Sequence, residues 1–291
     1  MTALESAERL QTIAWGRSPH FFTLTSPDPA VCRHAATVFA PWMDGAAHAA
    51  APERWLATPT GPGAWTLSTD GRDVPVRGDA RRVVMFAESL AVQRILESPD
   101  TVTLHAALVA RGGAGALILG PSESGKSTLS CGLWRRGWSL VGDDVAMIDA
   151  AAATATTAPR RVSLRHPSQR LLDADLWARM LAAPSTDETA DSFLFHPSEV
   201  GHEAPRQVRL AAIVFLRRSG VPVPDAPRRL RHDAEAALAL MPYSNQIRHR
   251  DAGAIVARLA PLVAQVPAWD VARGPLDDMA AAVAGLMEQG R

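Results

Sequence analysis

The stretch Gly120-Pro121-Ser122-Glu123-Ser124-Gly125-Lys126-Ser127 constrains this chain more than any other. It fits the Walker A pattern, and it lies between an apolar run, Ala116 to Leu119, and a segment of helical composition, Ser127 to Arg136. That context is what the pattern requires. A buried strand leads into a loop whose backbone N–H groups form an anion nest, and the helix that follows adds its positive N-terminal end. Gly120 and Gly125 permit a close approach of the backbone that a side chain would block.

The ligand expected there is a purine nucleoside triphosphate, ATP with Mg2+. Residues 120 to 128, through Thr128, form the expected binding stretch. Lys126 is expected to reach the β- and γ-phosphates, and Ser127 to place its hydroxyl on the metal. Composition sharpens the point, because Lys126 is the only lysine among thirty basic residues. A compact ammonium stands where it must fit between phosphate oxygens, and planar guanidinium groups stand everywhere else. Glu123 departs from the small residue common at its position, and its charge would weaken phosphate binding unless it faced solvent.

The thirty basic residues balance thirty acidic ones, so no broad field for nucleic acid is expected. Cys32 and Cys131 are too few and too far apart for a disulfide framework or a zinc site, which fits the reducing cytoplasm. No signal-like or membrane-length apolar segment is read, so export and membrane insertion are not expected.

Two regions are expected along the chain. Residues 1–98 carry Trp15, Trp42, Trp55, Trp65, Phe21, Phe22 and Phe39 in short pieces between turn clusters, the texture of a small strand-containing region. Arg81 to Glu97 has helical spacing. Residues 99–291 read as an α/β domain, with strands at Val102 to Ala110, Ala116 to Leu119, Trp138 to Val141 and Val208 to Leu216. Helices are expected at His232 to Met241, Asp251 to Val266 and Leu276 to Glu288, while Ala150 to Pro159 and Pro184 to Pro205 read as surface connections.

Asp143-Asp144 follows the strand Trp138 to Val141, only seventeen residues beyond Lys126. Parallel strands would bring both carboxylates to the edge that holds phosphate. One acid would then bind Mg2+ and the other accept a proton from an attacking hydroxyl. His105 lies on an apolar strand, where a histidine is more often a core or strand-end residue, and spacing alone leaves it unassigned.

Thr103-Leu104-His105-Ala106-Ala107-Leu108-Val109, the loop, and Arg136-Gly137-Trp138-Ser139-Leu140-Val141-Gly142-Asp143-Asp144 together resemble the core of bacterial HPr kinase/phosphorylase over residues 101 to 149. The resemblance implies a P-loop kinase core shared with phosphoenolpyruvate carboxykinase, with phosphorylation of a serine. It also makes Asp143 the general base, Asp144 a supporting or metal-linked acid, and His105 an active-site residue near the phosphates. Two departures narrow it. No Glu-Ile-Arg-Gly type signature follows the aspartates, so phosphorolysis is not expected, and residues 1–98 carry no likeness from which a carrier-protein substrate would follow. The chain is similar to shorter HPr kinase-related proteins, some associated with peptide natural products such as lasso-peptide precursors.

The function expected is therefore ATP-dependent transfer to a hydroxyl, with a peptide or small-protein serine as partner and a homo-oligomer as the family's habit. A nucleotide sensor without transfer and a small-metabolite kinase are the alternatives. His196, Glu199 and His202 read as a polar loop rather than a metal site. Arg217, Arg218, Arg248 and Arg250 read as ordinary surface.

Overall fold

The computed structural model describes residues 10–44, 52–122, 124–201, 204–216 and 226–289. It is a mixed α/β chain that divides into two compact units, Met1–Ile95 with Pro159–Arg161, and Leu96–Ala158 with Val162–Arg291.

In the first unit β1 (Gln11–Arg17) and β2 (His20–Ser26) form an antiparallel hairpin. The helix α1 (Pro29–Phe39) crosses over to β3 (Glu53–Gly61), which lies parallel to β2. Asp28 caps α1 by accepting from the Ala30 N–H at 2.7 Å, and Pro29 opens the first turn, where its missing N–H costs nothing. A meander, β4 (Ala64–Thr69) and β5 (Arg72–Arg77), completes the sheet, and α2 (Ala80–Glu97) follows. The core is aromatic. Trp15 stacks on Phe39 with centroids 4.0 Å apart and meets Phe22 and Trp55 at 5.7 and 5.5 Å. Glu53 ties the sheet to the helix, its Oε1 accepting from Trp55 Nε1, Thr69 Oγ1 and Arg94 Nε.

The second unit opens with β6 (Val102–His105), β7 (Ala107–Arg111) and β8 (Ala114–Leu119). After α3 (Lys126–Arg135) come β9 (Ser139–Gly142), β10 (Val145–Asp149) and β11 (Thr154–Thr157). Then follow β12 (Val162–Arg165), α4 (Ala174–Ala182), β13 (Asp187–Glu188) and β14 (Ser192–Phe195). Next are β15 (Val208–Leu216), β16 (Arg228–Arg229), α5 (Asp233–Leu240), α6 (Ala252–Val263), β17 (Ala268–Val271) and α7 (Leu276–Gln289). Among the described residues the large sheet has nine strands, with β6-β10-β11-β15-β8-β7-β9 in order, β17 beside β15 and β16 beside β17.

Side chains alternate across this sheet, as the strand period requires. Val109, Ile118 and Val214 face a core with α3, α4, α7 and a small sheet, β12-β14-β13, whereas Leu108, Leu117 and Ile213 face α5 and α6.

Three expectations change. The run Val102 to Ala110 is two strands, because the Ala106 N–H leaves the ladder and donates to the Asp144 carbonyl at 3.0 Å. The stretch Ala150 to Pro159 contains β11, an interior strand whose Ala155 and Thr157 turn inward between β10 and β15. The stretch Pro184 to Pro205 contains β13 and β14, and the alternating Phe193 and Phe195 are fully buried.

Candidate functional site

β8 hands the chain to the loop at Gly120. A Cβ there would clash with Ser124 Oγ and lie 3.0 Å from the Leu216 carbonyl oxygen, so the close packing of the loop against β15 needs glycine. Gly125 stands at the N-cap of α3 with φ of 99°, in the left-handed region that favours glycine, and supplies no side-chain cap to the first turn. The first-turn amides of Lys126, Ser127 and Thr128 therefore have no side-chain acceptor at the N-cap, the arrangement in which a helix end receives an anion. Pro121 accepts from the Ser124 N–H at 3.2 Å, Ser122 is exposed, and Ser127 and Thr128 are half-buried in the first turn of α3. Glu123 lies outside the described residues.

Lys126 Nζ donates to the carbonyls of Gly120 at 2.8 Å and Pro121 at 3.3 Å, so the ammonium is folded into its own loop. Burial lowers its pKa from the ordinary lysine value, and the charge of Asp144 works in the opposite direction. Ser124 Oγ is buried and has no hydrogen-bond partner among the described residues. An orphaned hydroxyl, a glycine cradle and a sole ammonium in one loop fit a polyphosphate.

Strand direction brings the acids to this loop. β7 is antiparallel to both β8 and β9, and Leu108 stands opposite both Leu117 and Gly142. β8 and β9 thus run the same way and end at the same edge, with the antiparallel β7 between them. Gly120 follows one and Asp143 follows the other. β15, parallel to β8, ends beside them.

The two carboxylates are held differently. Asp143 Oδ2 accepts from the Ser163 N–H at 2.8 Å. Ser163 lies on β12, an edge strand of the small sheet. Asp144 Oδ1 lies 2.7 Å from His105 Nδ1, within hydrogen-bonding distance, and His105 ends β6 with its side chain 51% exposed. The charge of Asp143 is also felt inside the core, where it adds to burial in pushing the Cys131 thiol up to about 12. The Ser163 amide is the partner that sequence reasoning missed, and a main-chain donor twenty residues away leaves no mark in residue type.

Ser127 and Asp144 are hard oxygen donors and few in number, which suits Mg2+, a cation that keeps several waters and takes its remaining ligands from phosphate. Among the described residues no group of three or more His, Cys, Asp and Glu is placed to hold a metal. His196 is buried and Glu199 Oε2 accepts from Ser185, while His202 lies outside the described residues. Arg250 bonds Gln246 Oε1 and the Pro99 carbonyl, and Arg217 and Arg218 lie outside the described residues. No helix among the described residues is long and apolar enough to cross a membrane.

No family model matches the chain, and no curated protein matches it. Among solved structures, the Hpr(Ser) kinase/phosphatase from Coxiella burnetii is similar at 18% identity, covering 64% of this chain and 98% of its own, with a TM-score of 0.36. A similarity at that level carries no argument about the chemistry of this chain.

Proposed function

We propose that this chain is an ATP-dependent kinase that transfers the γ-phosphate to a hydroxyl, the serine of a peptide or small protein. The observation that carries the reading is the convergence of the Gly120 to Ser127 loop and the Asp143-Asp144 pair on one sheet edge. The loop amides and Lys126 hold the phosphates, once Lys126 exchanges its two carbonyl partners for phosphate oxygens. Ser127 and Asp144 would hold Mg2+, which when bound neutralises charge on the β- and γ-oxygens. Asp143 accepts the proton as the acceptor oxygen forms its bond to phosphorus and the β–γ bridging bond breaks, its electron pair leaving with ADP.

The self-bonded Lys126 favours a second reading, a nucleotide sensor that rearranges the loop without transfer. Intact-mass analysis after incubation with ATP, Mg2+ and a panel of serine peptides separates the two. The kinase reading expects one added phosphate on a peptide. A panel that stays unmodified while ATP binds leaves the sensor.

A further inference from the structure

Among the described residues β6 stands at the end of the strand order in the large sheet, is four residues long, and finishes on His105. On its inner side it pairs with β10, where Val102, Thr103, Leu104 and His105 stand opposite Ile148, Met147, Ala146 and Val145. A strand so short has few ladder bonds to fix its register, and a slip of one residue would turn its side chains to the other face and carry His105 away from Asp144. What holds its outer side therefore matters.

The segment Ser244 to Gln246 lies along that side, with Ser244 bridging Leu104. Asn245 makes most of the joins. Its Oδ1 accepts from the Thr103 N–H at 3.0 Å, and its Nδ2 lies 3.1, 3.3 and 3.1 Å from the carbonyl oxygens of Leu96, Ser98 and Thr101. One primary amide thus stands in for a neighbouring strand at the start of β6. The amide is itself held. Gln246 Nε2 donates to Asn245 Oδ1 at 3.2 Å and to the Thr101 carbonyl at 3.0 Å, while Gln246 Oε1 accepts from Arg250 Nε at 2.9 Å and Arg258 Nη1 at 3.0 Å.

Asn245 and Gln246 are both buried, so removing one partner would leave desolvated donors and acceptors behind. Thr103 is buried as well, and its hydroxyl has no hydrogen-bond partner among the described residues, so its polar hold on the outer side rests on its N–H. All of these residues belong to the second unit.

We propose that Asn245 is a positioning residue: by holding the Thr103 N–H and the carbonyls that precede it, Asn245 keeps β6 in the register that sets His105 beside Asp144. This rests on the kinase reading only for the metal role of Asp144. The placing of His105 stands apart from it.

The test is full-length Asn245→Ala, with Asp144→Asn as the reference in which the pairing with His105 is altered directly. Both readouts are taken by NMR without nucleotide. Hydrogen exchange at the Thr103 amide should become about tenfold faster or more, and the ring nitrogen signals of His105 should move from their wild-type positions towards those of Asp144→Asn. A merely structural Asn245 would lower the melting temperature and leave the His105 ring signals of the folded protein in place. That result would overturn the proposal, and so would wild-type exchange at Thr103. Should Asn245→Ala not fold, Asn245→Ser decides by the same two readouts, because a hydroxyl keeps some polar pairing but cannot join an amide and three carbonyls at once. In either variant the Mg2+ concentration for half-maximal ATP binding should also rise, by about threefold or more. If the wild-type chain binds ATP without regard to Mg2+, the metal role of Asp144 fails, while the ring signals still decide whether Asn245 places His105.

Discussion

At one edge of the large sheet, the loop from Gly120 to Ser127 is built mainly from its own main chain, whereas the corner at Asp143-Asp144 presents side chains held from elsewhere. The loop is made by consecutive residues between β8 and α3, with Lys126 bonded inside it. The corner is made by β6 through His105 and by β12 through Ser163. A local nest works wherever its strand and helix pack. A pair of carboxylates works only if distant strands arrive in register, so binding and transfer should respond to different substitutions.

Lys126→Ala strikes the loop and should have the largest effect on ATP binding. Removing the only ammonium there is expected to weaken ATP binding by about a hundredfold, with little change in melting temperature, as titration calorimetry and a thermal scan would read. Similar affinity in this variant would break the comparison, because the nest alone would then suffice.

Gly120→Ala tests how tightly the loop is packed. Its Cβ would meet Ser124 Oγ and the Leu216 carbonyl, so a loss of about 1–3 kcal/mol in denaturant unfolding is expected, with weaker nucleotide binding. Unchanged stability would mean that the loop relaxes more easily than its packing suggests.

His105→Gln moves attention to the corner. The Asp144 pairing is half-exposed, so the stability change should stay within about 1 kcal/mol. The Mg2+ concentration needed for half-maximal ATP binding should rise by roughly tenfold, because Asp144 loses the partner that orients it. An unchanged Mg2+ requirement would remove Asp144 from the metal.

The smallest effect is expected at Cys131. Its folded pKa, raised to about 12, exceeds the ordinary 9.0, so the folded state keeps a proton that the unfolded state releases, and stability falls as pH rises above 9. In Cys131→Ala the drop in unfolding free energy between pH 8 and pH 10 should be smaller by about 1 kcal/mol. An equal drop in both proteins would take the thiol out of the alkaline limb.

How legible each region was follows from the same contrast. The loop, α3 and its glycine stop at Gly137 were readable because a local pattern specifies a local structure. The acids and His105 were readable as residues, but their partners were not, since the pairing of β6 with β10 and the approach of β12 depend on tertiary register. β11 was hidden by an alanine-threonine run that resembles a linker until two neighbouring strands enclose it. Phe193 and Phe195 did carry a period-two signal, but it was short and sat in a polar, proline-flanked stretch.

The division of labour is tested most directly by measuring ATP affinity and single-turnover phosphate transfer side by side in the wild-type chain and Asp143→Asn. The proposed function makes Asp143 the proton acceptor, which that variant removes while leaving the loop untouched, so affinity should stay within about threefold and transfer should fall by about a thousandfold. Transfer at the wild-type rate, or a loss of affinity as large as that of Lys126→Ala, would contradict the assignment of binding to the loop and proton transfer to the acidic corner.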